Sequence, residues 1–209
     1  MKKAVFIVDA NRQYDQLFLQ AGWEIVSDLP SASLVCFTGG EDVSPSLYGE
    51  SKHPKTYNNP QRDVRETELF EKAKALGIPM VGICRGGQFL NVMSGGKMYQ
   101  HVTNHTGDHQ MIVVETGEAL KVSSTHHQMM RPSTEGVLLG IAKNFGAKEF
   151  VQDSKVVKQI KPEHDAEVVL YQSTKCLCFQ PHPEFTSPEY SDMRNIFFYF
   201  VLKYLFNKV

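Results

Sequence analysis

The chain has 209 residues, 42% hydrophobic and 22% charged, with a formal net charge of −1. That length supports a single domain with a full core, expected over 1–209. The near-neutral balance leaves no electrostatic footprint for nucleic acid or an anionic membrane, and no apolar run approaches the ~20 residues of a membrane span, so neither is expected as a partner.

Ala4 to Val8 reads as a buried strand. Asp9, Asn11, Arg12 and Asp15 cut the apolar run short, which predicts a first strand rather than a signal peptide. Tyr14, Leu17, Phe18 and Ala21 then recur at helical spacing. Trp23 to Val26 and Leu34 to Phe37 are the next strands, the latter ending at Thr38-Gly39-Gly40. Lys52 to Gln61, with two prolines and two asparagines, predicts a loop able to overhang a site. Leu69, Phe70, Ala73 and Leu76 mark a helix stopped by Gly77 and Pro79. Ile78 to Val81 leads to Cys84, and Gly87 to Met93 forms the helix beyond it. This alternation predicts an α/β fold of three layers, with a mostly parallel central sheet and helices on both faces. From about His109 the pattern changes. Gln110 to Glu115 predicts a strand, and Glu167 to Tyr171 with Cys176 to Gln180 a hairpin around Ser173-Thr174-Lys175, so a few antiparallel strands are expected in the C-terminal half. Met193, Ile196, Phe197, Phe200, Val201, Tyr204 and Leu205 form the apolar stripe of a last helix, with Ser187-Pro188 as its cap and first turn.

Cys84 is the most informative residue. Gly82-Ile83-Cys84-Arg85-Gly86 stands between a strand and a helix, the layout of a nucleophile elbow with sulfur in place of oxygen. A helix N-terminus favours thiolate over thiol, whereas a buried core cysteine gains nothing from flanking glycines. The other thiols, Cys36, Cys176 and Cys178, lie in strand-like runs; no pair has Cys-x-x-Cys spacing. Four free thiols suit a reducing cytoplasm.

Acyl transfer by a thiol needs a base, a group that orients it, and donors for the oxyanion. Gln180-Pro181-His182-Pro183-Glu184 follows a predicted strand, with His182 as the base and Glu184 close enough to accept its other N–H. Gly39-Gly40 also ends a strand, and glycines allow close backbone approach to a ligand, which makes Gly39 a substrate-binding candidate. One oxyanion donor is assigned to the Gly40 amide and the second to the Arg85 amide after the thiol. His101, His105, His109, His126 and His127 invite a metal reading, but their spacings fit no ordinary zinc pattern. Neither a metal nor another cofactor is expected, and Ser124 to Gln128 reads as a polar loop near the site.

Together these residues resemble the class I glutamine amidotransferase-like family with a Cys-His-Glu triad, and within it the gamma-glutamyl hydrolase-like branch that includes gamma-glutamyl-GABA hydrolases. Five segments carry the resemblance: Gly39 to Glu50, Arg62 to Glu66, Gly82 to Gln88 together with Asn91 to Tyr99, Ser124 to Gln128 and Gln180 to Glu184. It implies a flavodoxin-like fold, Cys84 as nucleophile, His182 as base and then acid, and Glu184 as its orienter. It further implies that Gln88 and His127 help to hold the two ends of a glutamyl group. The expected activity is hydrolysis of a gamma-glutamyl amide, either glutamine or a gamma-glutamyl amine or peptide. The alternatives are a glutaminase subunit serving a separate synthetase, and a non-catalytic binding protein on the same fold.

Overall fold

The computed structural model describes residues 3–143, 149–153, 155–157 and 164–208. The first half alternates as expected: β1 (Ala4–Val8), α1 (Arg12–Gln20), β2 (Glu24–Ile25), β3 (Leu34–Phe37), α2 (Pro60–Ala75), β4 (Met80–Ile83) and α3 (Arg85–Met93). Asn59 caps α2 by accepting from the Arg62 amide at 3.2 Å, with Pro60 in the first turn, so this helix takes the end of the stretch expected to be loop. The second half is mostly strands: β5 (Lys97–Tyr99), β6 (His101–Val102), β7 (His109–Val113), β8 (Ala119–Val122), β9 (Met129–Arg131), β10 (Val137–Ala142), β11 (Phe150–Gln152), β12 (Lys155–Val157), β13 (Ala166–Tyr171) and β14 (Cys176–Phe179). A 3₁₀ turn at Pro188–Tyr190 precedes α4 (Ser191–Phe200). The Ser187-Pro188 signal therefore opens this turn rather than α4 itself, and the apolar stripe of α4 runs on through a π-helical turn at Val201–Leu205.

The main sheet runs β2-β1-β3-β4-β14-β13-β10-β7-β8, with β9 pairing both β13 and β5 off this path. Its first five strands are parallel, and antiparallel pairing begins where β14 meets β13. A small second sheet runs β12-β11-β6.

Alternation along the central strands sends side chains to two cores. Ile7, Leu34, Cys36, Val81, Ile83, Leu177 and Phe179 pack with Phe18 of α1 and Phe197 and Phe200 of α4. Val8, Val35, Phe37, Met80, Cys176 and Cys178 pack on the other face with Phe70 of α2 and Phe89 of α3. Two helices thus cover each face of the parallel half, which is the predicted three-layer arrangement. No helix of the described residues is long and apolar enough to cross a membrane.

Candidate active site

Strands β3, β4 and β14 are adjacent and parallel, so their carboxyl ends open at one place, where ligands of open α/β sheets bind. Gly39-Gly40 follows β3, Cys84 follows β4, and His182 lies just beyond β14. Residues nearly one hundred positions apart meet for that reason.

Cys84 adopts φ 52° and ψ −113°, a left-handed conformation that is strained for a side chain with a Cβ. Close packing of the elbow against its neighbours holds it there. A Cβ on Gly82 would lie 2.2 Å from the Gly86 carbonyl oxygen, and one on Gly86 would lie 2.1 Å from that of Phe37. The Cys84 amide donates to the Phe179 carbonyl at 2.8 Å, fastening the turn to β14.

His182 is held from several sides. Its Nδ1 is 2.7 Å from Glu184 Oε1, and its Nε2 is 2.8 Å from Thr125 Oγ1. Its amide donates to Ser123 Oγ at 2.9 Å, and its ring stacks on Phe185 with centroids 4.7 Å apart. Burial disfavours a charged ring here. Hydrogen bonding and charge from Cys84 and Glu184 outweigh burial and raise the imidazole to about 10. Glu184 is itself buried, with the Tyr14 hydroxyl against it. Burial and the Glu184 charge both push the Tyr14 phenol upward.

Behind Gly39-Gly40 lies a buried ionic network. Arg62 donates to the carbonyls of Thr38 at 3.1 Å and Gly39 at 3.0 Å, and pairs with Glu66 at 2.7 Å. The Arg85 side chain turns away from the cavity to pair with Asp63 and Glu66. Burial, then the neighbouring Arg62 charge, lowers Arg85 to about 10. The Gly39 amide donates to the Tyr14 hydroxyl at 2.9 Å, so both backbone groups of Gly39 hold the loop in place.

A cavity of about 270 Å³ opens over Cys84 and His182, just below the ~300–1,000 Å³ usual for small-molecule pockets. Gly40, Arg85, Gln88, Thr125 and His127 lie on its wall, with Glu41, Asp42 and Tyr57 beside them. Tyr57 comes from the predicted overhanging loop. Gln88 Nε2 donates to Gln180 Oε1 at 3.2 Å, and His127 Nε2 is 3.3 Å from Asp42 Oδ2. Cys84, His182, Glu184, Gly40, Arg85, Gln88 and His127 are therefore gathered at one site, with Gly39 beside them. The sequence reading missed Tyr14, Arg62, Ser123, Thr125 and Phe185. Thr125 sat inside a segment already marked as polar loop, but nothing in its spacing singled out its hydroxyl over the adjacent histidines.

Residues 25–160 match the family model for Peptidase C26. The chain belongs to the Peptidase C26 family. A Mycobacterium tuberculosis protein assigned by name to the glutamine amidotransferases is 31% identical over 144 residues, covering 59% of this chain and 47% of its own length. A glutamine amidotransferase-like protein of Lactococcus lactis, YvdE, is 32% identical over 142 residues, covering 58% of this chain and 60% of its own. The chain thus spans about half the length of the curated relatives it matches. Among solved structures, a Thermotoga maritima glutamine amidotransferase aligns with TM-score 0.60 at 17% identity, covering 97% of this chain and 85% of its own. A Thermoplasma acidophilum protein, assigned by name to GMP synthase as one of its subunits, aligns with TM-score 0.65 at 15% identity, covering 96% and 93%. The Peptidase C26 chain therefore shares the class I glutamine amidotransferase fold with both structures. The family match ends before His182 and Glu184.

Proposed function

We propose that this Peptidase C26 protein is a cysteine-dependent amidohydrolase that cleaves a gamma-glutamyl amide bond through a glutamyl-thioester intermediate. Its main support is the series Cys84–His182–Glu184 at the carboxyl ends of adjacent parallel strands, facing a cavity walled by Gly40 and Arg85. The family is one of C–N hydrolases, which fits the same chemistry.

In this mechanism His182 assists formation of the Cys84 thiolate. Sulfur attacks the gamma-carbonyl carbon, a C–S bond forms, and the carbonyl electron pair moves to oxygen. The amides of Gly40 and Arg85 receive that oxyanion. Arg62 supports the Gly40 assignment: it holds the Gly39 carbonyl, and in a trans peptide the next N–H points the opposite way. As the tetrahedral intermediate collapses, the C–N bond breaks and His182 gives its proton to the departing amine. Water then attacks the thioester while His182 takes a proton from it; glutamate leaves and Cys84 is restored. Glu184 holds Nδ1–H throughout, keeping the ring oriented. In this reading Gln88 and His127, both on the cavity wall, hold the ends of the glutamyl group.

The decisive experiment incubates the purified protein with glutamine and with a panel of gamma-glutamyl amines, and weighs the acyl-enzyme by mass spectrometry. A gamma-glutamyl adduct on Cys84 is expected. Turnover of gamma-glutamyl amines by the isolated chain identifies a free-standing hydrolase. Glutamine turnover that appears only with a synthetase present identifies an ammonia-donating subunit. No adduct with any gamma-glutamyl compound defeats the proposal.

A further inference from the structure

A second buried polar cluster lies outside the cysteine chemistry. Glu167 is fully buried in β13, a strand whose other residues are Ala, Val, Val, Leu and Tyr. A carboxylate in such surroundings is costly unless it is paired or binds a metal. Around it stand three buried histidines from separate segments: His105 after β6, His109 at the start of β7, and His126 in the loop after β8.

Each ring has one nitrogen tied to an outer acceptor. His109 Nδ1 lies 3.3 Å from the Gly107 carbonyl, and His126 Nδ1 lies 2.7 Å from that of Gln128. His105 Nε2 lies 3.0 Å from Asp165 Oδ2. The other nitrogens of His109 and His105 face the acid: His109 Nε2 is 2.9 Å from Glu167 Oε1, and His105 Nδ1 is 3.9 Å from it. One ligand atom from each of His105, His109 and Glu167 lies within 4.8 Å of the others. His126 packs on His105 with ring centroids 5.1 Å apart. The Gln128 carbonyl can only accept, so His126 Nδ1 carries the donated proton and Nε2 is the ring nitrogen left to act as a ligand. That Nε2, like Glu167 Oε2, is buried without a hydrogen-bond partner among the described residues. Imidazoles fixed by a carbonyl or carboxylate on one nitrogen, with the other turned inward, are the usual outer shell of a metal-binding histidine.

We propose that His105 Nδ1, His109 Nε2 and Glu167 bind one divalent ion of the zinc class, with His126 Nε2 as the fourth donor. Three neutral nitrogens and one carboxylate suit zinc in both donor type and number. For His105, His109 and Glu167, whose ligand atoms lie within 4.8 Å of one another, bonds of ~2.0–2.2 Å need shifts of tenths of an ångström to about an ångström, and His126 Nε2 would swing in from outside that group. The ion's role is structural. It ties β7 and β13 to the loop carrying Thr125, whose hydroxyl contacts His182. Ser124 Oγ of that loop donates to the His105 carbonyl, so the loop and the cluster are already fastened together.

The test uses the full chain as Cys84→Ser, which removes the active-site thiol as a competing ligand. Metal content is measured after purification and again after chelator treatment and titration with zinc(II) or cobalt(II). One tightly held equivalent is expected, with the visible bands of four-coordinate cobalt(II) and a higher Tm for the loaded protein. Glu167→Gln and His109→Gln should each weaken binding at least tenfold. Failure of Cys84→Ser, with every proposed ligand intact, to take up one equivalent overturns the proposal, and this holds even if the ligand variants do not fold. Equal affinity in folded Glu167→Gln overturns it as well. All of these readouts are independent of catalysis.

Discussion

Arg62 Nη1 donates to the Gly39 carbonyl at 3.0 Å, and that bond sets the direction of the Gly40 amide. Gly40 has φ +145°, and a Cβ there would lie 2.1 Å from the same Nη1. The guanidinium and the bare glycine therefore require each other. Arg62→Lys replaces a fork that serves two carbonyls and Glu66 with a single ammonium. It should cost about 10²–10³ in kcat, the size of losing one oxyanion donor, with KM little changed. Gly40→Ala should do at least as much. Steady-state kinetics on a gamma-glutamyl amide, with circular dichroism to verify folding, checks both.

The imidazole of His182 is raised from 6.5 to about 10. A raised basic group stabilises the folded state fully below its unfolded value and loses that contribution as pH rises through its folded value. Wild type should therefore lose stability relative to Cys84→Ala between about pH 6.5 and 10, because Cys84 supplies part of the shift. The rate should fall along the same alkaline limb, since the leaving amine needs the imidazolium proton. Denaturation midpoints and pH–rate profiles measure the two effects. A stability difference that stays flat across this window would sink the assignment.

Thr125→Val removes the hydroxyl 2.8 Å from His182 Nε2 and keeps the shape of the side chain. A hydrogen bond worth about 1 kcal/mol predicts a loss of roughly fivefold in kcat. Thr125→Ser should recover most of it. Glu184→Gln should slow turnover more than Thr125→Val, because the amide cannot compensate the imidazolium charge, but less than Cys84→Ala.

Burial raises the Cys36 and Cys178 thiols well above their ordinary value and lifts Cys176 to about 11, and all three are fully enclosed. Cys84 opens on the cavity. Iodoacetamide at limiting concentration should alkylate Cys84 first and abolish activity in proportion, as read by peptide mass spectrometry. Uniform labelling of the four thiols would contradict the assignment of a single reactive sulfur.

The elbow, strands β1 and β3 and the β13–β14 hairpin were legible because each combines a strong apolar run with a glycine or polar stop. The placement of Cys176 and Cys178 on one face follows from the period of a strand. Much of the antiparallel part was not legible. β5, β6 and β9 have two or three residues each, too short for any periodicity, and their pairing is fixed by tertiary contact. β10 carries register shifts that break its alternation. The stretch Asn144 to Asp165 falls partly outside the described residues. The five histidines matched no local spacing because sheet pairing sorts them. His127 lines the cavity with His101 against it, His105 and His109 go inward to Glu167, which for His109 lies 58 positions along the chain, and His126 packs on His105 while also reaching the cavity wall. Arg62 was visible within a motif, but its grip on two carbonyls emerges only once α2 lies beside the end of β3.

β14 sits between β4 and β13 although it is the last of the described strands to be made, and Cys176 pairs with Met80 across nearly half of the chain. During synthesis the first four strands must wait with one edge of β4 bare until the final quarter of the protein emerges, a late long-range closure of the kind that slows folding. The same insertion delivers His182 to Cys84. Completion of the sheet and assembly of the proposed triad are a single event, so a prematurely terminated polypeptide has neither.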